Sequence, residues 1–194
     1  MLTVLDYGGG NLKSVVNMLD SFGLPYGVTD KAEDVINADR LIFPGQGHFG
    51  QVMEALKFKG LAEPLRRAIS SGVPFLGICV GLQVLFDSSE EAPGVNGLGI
   101  LKGKNIRFTR GKIPQIGWNK IKTTKANTFL SQDFYYFVNS YHVVCDDPAV
   151  VSATAEYYIP FTAAVQAGNI TATQFHPEKS GRTGQETIRR WVEG

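Results

Sequence analysis

The segment Phe75-Leu-Gly-Ile-Cys-Val-Gly-Leu-Gln83 decides the reading of this 194-residue chain. An apolar run closes in Gly-x-Cys-x-Gly and continues with helix-forming residues. That is the pattern of a strand turning sharply into a helix and presenting a nucleophile at the bend, with Cys79 where serine often stands. A Cβ at Gly77 or Gly81 would crowd so tight a turn. The helix start also sets Cys79 beside unpaired N–H groups and a positive dipole end, surroundings that favour a thiolate.

A cysteine after an apolar strand is more often a small buried residue than a nucleophile, so the assignment needs partners. Gln174-Phe-His-Pro-Glu178 supplies them. Pro177 is expected to forbid helix and to keep His176 extended. Residues two apart in an extended chain point the same way, so Glu178 would lie beside His176 and the pair would face Cys79. Nucleophile, base and orienting carboxylate are the parts that covalent catalysis requires.

Working outward from the elbow, Leu2–Leu5 and Arg40–Phe43 read as buried strands and 73–78 as the central one. Residues 11–22 carry apolar side chains at helical spacing, with Asn11 as a cap and Gly23 as a stop. Helices are expected at 52–58, 61–70, from 81 to 86 and at 185–192. Strand–helix alternation implies a doubly wound, mostly parallel sheet. After Ser88 short, turn-bounded strands dominate, among them 119–123, 134–139, 142–145 and 170–174, and imply a mixed sheet with antiparallel strands. The fold class expected is therefore α/β: a central, mixed, mostly parallel sheet flanked by helices, with a smaller antiparallel sheet. One domain spanning 1–194 is the expected count.

Composition narrows the function classes. A net charge of +1 makes no case for nucleic acid or an acidic membrane surface. No apolar run approaches the length of a membrane span, and residues 1–6 read as a first strand rather than a signal peptide. Two cysteines argue against a disulfide framework and for a cytoplasmic location, with Cys145 read as a buried structural thiol. No metal-ligand pattern or cofactor motif is present. Gly8-Gly9-Gly10 lacks the Gly-Lys-Ser/Thr ending of a phosphate loop and reads as a place of close backbone approach.

The elbow and the Phe-His-Pro-Glu segment together resemble the class I (triad) glutamine amidotransferases, whose fold is flavodoxin-like. Asp6-Tyr-Gly-Gly-Gly-Asn-Leu-Lys-Ser-Val15, Pro44-Gly-Gln-Gly-His-Phe49, Glu90-Glu-Ala-Pro-Gly94, Pro114-Gln-Ile-Gly-Trp-Asn119 and Phe175-His-Pro-Glu-Lys-Ser-Gly181 narrow the resemblance to the glutaminase subunits of imidazole glycerol phosphate synthase. It runs nearly the length of the chain, and Gly-Trp-Asn and His-Pro-Glu-Lys-Ser are its discriminating motifs.

The resemblance implies hydrolysis of L-glutamine through a Cys79–His176–Glu178 triad and a thioester, without a cofactor. The ammonia would pass to a (βα)₈ cyclase in a heterodimer that serves histidine biosynthesis. It implies an oxyanion hole from the Val80 N–H and the Gly45-Gln46-Gly47 strand. Gln83, Glu91 and the backbone of Ser140 and Tyr141 would hold the amino-acid end of glutamine. Asn11, Trp118 and Lys179 lie in the motifs that set this subunit apart and are placed at the interface. Gln46 stands where a small apolar residue is usual, and Asn139 where histidine is often found. The rival readings are a stand-alone hydrolase of the same elbow architecture, a glutaminase serving pyridoxal phosphate, anthranilate or GMP synthesis, and a catalytically silent regulatory module. His-Pro-Glu disfavours the first, Gly117-Trp-Asn and Lys179-Ser-Gly the second, and the complete triad the third.

Overall fold

A computed structural model describes residues 1–9, 11–125 and 129–194 of the chain. Gly10, part of the triple-glycine turn, lies outside the described residues. Chain order begins β1 (Leu2–Leu5), α1 (Leu12–Phe22), β2 (Tyr26–Thr29), α2 (Ala32–Ile36), β3 (Arg40–Phe43), α3 (Phe49–Phe58), α4 (Ala62–Ser70), β4 (Phe75–Ile78) and α5 (Val80–Gln83). It continues with β5 (Ser88–Ser89), β6 (Gly103–Arg107), β7 (Gln115–Thr123), β8 (Phe134–Asn139), β9 (Tyr141–Cys145), β10 (Val151–Glu156), β11 (Pro160–Ala167), β12 (Ile170–Thr173) and α6 (Gly181–Glu193).

A nine-stranded sheet runs in the order β2-β1-β3-β4-β12-β11-β10-β7-β8. Its first five strands are mutually parallel, and the pairings from β12 through β8 are antiparallel. A second, three-stranded sheet joins β5, β6 and β9, with β5–β6 parallel and β6–β9 antiparallel. The parallel strands β1, β3 and β4 are apolar and almost wholly buried, as strands covered by helices on both faces must be. One core layer packs α3, α4 and α5 on the sheet around Leu41, Phe43, Leu56, Leu65 and Phe75. The other packs α1 and α6 around Val4, Leu19, Leu76, Ile188 and Trp191.

Several elements lie outside the sequence reading. β2 is a short, half-exposed edge strand with Gly27 in it, so it gives little hydrophobic signal. The β10–β11 hairpin is rich in Ala and Thr and buried on both faces of β11, so it shows neither strong hydrophobicity nor alternation. β7 is longer than expected and begins at Gln115, which brings Trp118 into a strand. Helix α5 is a single turn that ends at Gln83, shorter than the 81–86 expectation.

Backbone-to-backbone packing fixes the elbow. An added Cβ on Gly77 would lie 2.5 Å from the Gly81 carbonyl oxygen, and one on Gly45 would lie 1.6 Å from the Ile78 carbonyl oxygen. The β3–α3 loop therefore rests directly on the end of β4 with no room for a side chain. Overpacking of this kind costs about 1–3 kcal/mol, occasionally more. Gly45→Ala is expected to lower the urea midpoint of unfolding by a corresponding amount; an unchanged midpoint would show that the loop can move away from β4 without cost.

Candidate active site

The register of two parallel neighbours assembles the site. β4 pairs β12 with Ile78 opposite Thr173, and the Cys79 N–H donates to the Thr173 carbonyl at 2.7 Å. The chain leaves both strands at the same end of the sheet, the usual place for a site in an open α/β fold. Cys79 sits at the bend with φ 53° and ψ −104°, one of two positive-φ non-glycine residues among those described. Such a conformation is unfavourable for a residue bearing a Cβ and persists where the surrounding structure imposes it. The glycine contacts above are what impose it here.

His176 is extended at φ −100°, but Pro177–Lys179 is a 3₁₀ turn with Pro177 at its start. The expectation that Pro177 forbids helix is thus corrected: at the first helical position its missing N–H is not needed and its fixed φ suits the turn. Glu178 reaches back from that turn, and its Oε1 lies 2.7 Å from His176 Nδ1. A carboxylate accepts only, so Nδ1 carries the proton and Nε2 is left for the sulfur. Both side chains are 1% exposed. Burial alone would depress the His176 pKa, but the charge and hydrogen bond of Cys79, followed by those of Glu178, raise it to about 10. Strand β8 holds the base in place: the His176 N–H donates to the Tyr136 carbonyl, and Ser180 Oγ, which accepts the Tyr136 N–H, donates to the His176 carbonyl.

Cys79 and His176 open onto a cavity of about 240 Å³ that Gln46, Gly47, Gln83, Glu91, Asn139, Ser140 and Tyr141 also line. This is below the roughly 300–1,000 Å³ of drug-sized ligand sites and suits a small metabolite. A groove of about 800 Å³ between α3, α4 and residues 92–97 does not reach Cys79.

Similarity to known proteins extends nearly the length of the chain. A family profile described as "Glutamine amidotransferase class-I" matches residues 3–193. The "Imidazole glycerol phosphate synthase subunit HisH" of Deinococcus radiodurans is 48% identical over 188 residues, which cover 93% of this chain and 87% of that protein. The chain belongs to the class-I glutamine amidotransferases, in the family of HisH subunits. The chloroplastic "Imidazole glycerol phosphate synthase hisHF" of Arabidopsis thaliana is 42% identical over 99% of this chain, which spans 34% of that longer protein. A solved structure titled "Crystal structure of glutamine amidotransferase" shares the fold, with a TM-score of 0.80 at 20% identity over 99% of this chain and 97% of its own.

Against the residues expected of a glutamine amidotransferase, the structure gathers most but not all at the cavity. Glu178 lies behind His176, and Val80 and Gly45 lie behind the wall. Val80 opens α5, so its N–H belongs to the first turn, where amides lack intrahelical partners. Glu91 is held by the start of α3, its Oε2 accepting the Phe49 N–H at 2.7 Å. Gln83 Nε2 is engaged by the Tyr141 carbonyl and by Gln174 Oε1, and the Ser140 carbonyl accepts the Phe108 N–H. Tyr141 thus has its carbonyl turned into the protein, which Asn139 Nδ2 also reaches at 2.9 Å. Trp118 is 57% exposed on the outer face of β7, edge-on to Tyr136. Lys179 is half-buried in the turn after the histidine. Cys145 is half-buried rather than buried, and desolvation pushes its thiol up to about 11.

Asn11 differs from its expected cap role. Its side chain makes no capping bond; Nδ2 donates to Glu178 Oε1 at 3.0 Å while Oδ1 accepts from Ser14 Oγ. A charge-assisted bond to a buried carboxylate is worth more than a neutral cap. Tyr7 stands in the Asp6–Val15 motif, but the sequence reading gives it no task. Its hydroxyl, held protonated by burial, donates to the Gln46 carbonyl at 3.0 Å and accepts the Gln46 N–H at 3.5 Å. Neither contact has a local sequence signal, since each joins segments that only the fold brings together.

The raised pKa predicts that His176 is an imidazolium at pH 7 and titrates near 10. Sign follows from the shift: the stabilisation its pairing gives the fold is complete below the ordinary value of 6.5 and is lost as pH rises through about 10. Nitrogen NMR of the ring should show both N–H protons at neutral pH. Cys79→Ala should lower the titration further than Glu178→Gln, because the sulfur is the larger of the two raising influences.

Proposed function

We propose that the chain hydrolyses glutamine to glutamate and ammonia with Cys79 as nucleophile, His176 as acid and base, and Glu178 as the orienter. The observation that carries this reading is a strained Cys79 and a buried His176 meeting on one small cavity, with His176 hydrogen-bonded to a buried Glu178. The sulfur attacks the side-chain amide carbon and forms a C–S bond, and the C–N bond breaks as the imidazolium gives its proton to the departing ammonia. The neutral imidazole then takes a proton from water, whose oxygen attacks the thioester. Glutamate leaves, and the sulfur and imidazolium are restored. The Val80 N–H and an amide of Gly45–Gly47 stabilise the oxyanion in both halves. Glu91 attracts the substrate ammonium, and Gln83 with the Ser140–Tyr141 backbone positions its carboxylate.

The ammonia is used by a (βα)₈ cyclase in a heterodimer that makes imidazole glycerol phosphate for histidine biosynthesis. The match to part of a longer protein named hisHF supports a partner of this kind. The outer face of β7 and β8 supports where it sits: Ile116, Trp118 and Phe134 are all more than half exposed. Lys179 lies in the His176–Lys179 turn, and Asn11 is hydrogen-bonded to it through Glu178; both are assigned to the same interface. The two free cysteines suit a reducing cytoplasm. Oxyanion stabilisation is gated: the Gln46 N–H is turned to Tyr7, and partner and cyclase ligand favour the conformation in which an amide of this loop faces the substrate.

Cys79→Ala should abolish glutamine hydrolysis with the fold intact, and a diazo-ketone analogue of glutamine should label Cys79 and spare Cys145. Substantial turnover in Cys79→Ala would remove the nucleophile assignment. Glutaminase rates should rise from the chain alone, to the complex, to the complex with cyclase ligand; three equal rates would reject the gating. Tyr7→Phe, which releases the Gln46 peptide, should raise the rate of the chain alone.

A further inference from the structure

Gln174 opens the Gln-Phe-His-Pro-Glu segment, yet nothing above gives it a task. Its side chain has no access to solvent, and it does not line the cavity. Burying a primary amide is unfavourable unless its donors and acceptor find partners, and an apolar residue would fill the space at less cost. Its partners are specific. Nε2 lies 3.7 Å from Cys79 Sγ, within reach of a hydrogen bond to sulfur, and Oε1 accepts from Gln83 Nε2 at 3.1 Å.

The orientation of this amide follows from the network itself. The Tyr141 carbonyl can only accept, so the end of Gln83 that meets it at 3.3 Å is the NH₂ group. The same NH₂ meets Gln174, so the Gln174 atom facing it is the carbonyl oxygen. The Gln174 NH₂ is thereby turned to the sulfur. A carbonyl of β9 thus dictates, through two side chains, that the donor end of Gln174 faces Cys79, on a sulfur that also lies 3.9 Å from the Val138 carbonyl. The Gln174 N–H also donates to the Ala163 carbonyl at 2.8 Å, which ties its backbone to β11.

We infer that Gln174 is a further catalytic residue of this site: its amide donates to the Cys79 sulfur, stabilises it as an anion and fixes its position before attack and after thioester cleavage. This rests on the reading of Cys79 as the nucleophile. The donor acts on the sulfur on the side away from substrate, so it complements the His176 proton and the amides that face the oxyanion. It is matched to the free anion and has less to hold once sulfur is in a thioester. A purely structural glutamine would satisfy Gln83 equally well but would leave the chemistry of the thiol unchanged.

The test reads the sulfur directly. Alkylation of Cys79 by iodoacetamide is followed against pH in the complete chain, with Cys145→Ser as background, beside glutamine hydrolysis in the complex. Gln174→Met keeps length and removes the donor. Its alkylation profile should move to higher pH by about one pH unit, so that the rate on the rising limb falls roughly tenfold, the order of one hydrogen bond to a charged group, while the high-pH plateau stays close to the parent. kcat for glutamine should fall with little change in KM. Gln174→Glu conserves volume and puts an anion against the sulfur, so it should shift the profile further and keeps the test alive if Gln174→Met does not fold. Gln83→Glu should shift it in the same direction, because a carboxylate there draws the Gln174 NH₂ away from Cys79. A profile for folded Gln174→Met or Gln174→Glu that superimposes on the parent overturns the inference. Turnover in Cys79→Ala would instead overturn the nucleophile reading, and the two failures are separately visible.

Discussion

The parallel pairing of β4 with β12 is the contact on which the rest depends. Residues 78 and 173 are nearly a hundred positions apart in sequence, and their registry sets Cys79 and His176 at the same end of adjacent strands. A slip of one residue would turn every side chain of either strand to the opposite face. Both strands are buried along their whole length, β4 as Phe-Leu-Gly-Ile and β12 as Ile-Thr-Ala-Thr, so a slip would force the core on both faces to repack. The close approach of Gly45 to Ile78 and of Gly77 to Gly81 then locks the turn that follows. Strain at Cys79 is sustained by this packing, so stability and reactivity are held by the same few atoms.

Legibility in the sequence follows the range of the interactions. The elbow was legible because its demands are local: two glycines, an apolar strand and a thiol within a few residues. The His176–Glu178 pair was legible for its composition but not its conformation, since an extended chain and a 3₁₀ turn both bring positions two apart together once proline starts the turn. β1, β3 and β4 of the parallel half showed through their continuous apolar runs. The β10–β11 hairpin did not, because small residues buried on two faces carry neither a strong apolar signal nor a period of two. Asn11 and Tyr7 were misread or missed for a different reason. Their partners, Glu178 and Gln46, are distant in sequence, and polar side chains near a helix start or after a strand have many local uses.

The polar groups around the cavity divide into two shells with different jobs. Gln46, Gly47, Glu91 and His176 face open space, whereas Asn11, Tyr7, Gln174 and Asn105 stand behind and decide how the first set is turned. Asn105 shows the principle at its barest: fully buried, it donates to the Gln83 and Ser88 carbonyls and so joins the end of α5 to the strand before Glu91. Buried amides of this kind are unfavourable to desolvate and rigid once matched, which suits a site that must keep its geometry.

One residue of β8 links the surface to the chemistry. Tyr136 meets Trp118 edge-on at the outer face, while its carbonyl and N–H hold the backbone around His176. The strand is therefore a wall with a ring on its face and the base moored at its free edge. A compound lodged against the two aromatic rings would press on the imidazole's mooring without entering the cavity. Selectivity favours that route: every glutamine-hydrolysing relative must shape its cavity for the same amino acid, whereas the outer wall around Trp118 is under no such constraint. An inhibitor designed for the wall could distinguish this enzyme from others that share its substrate.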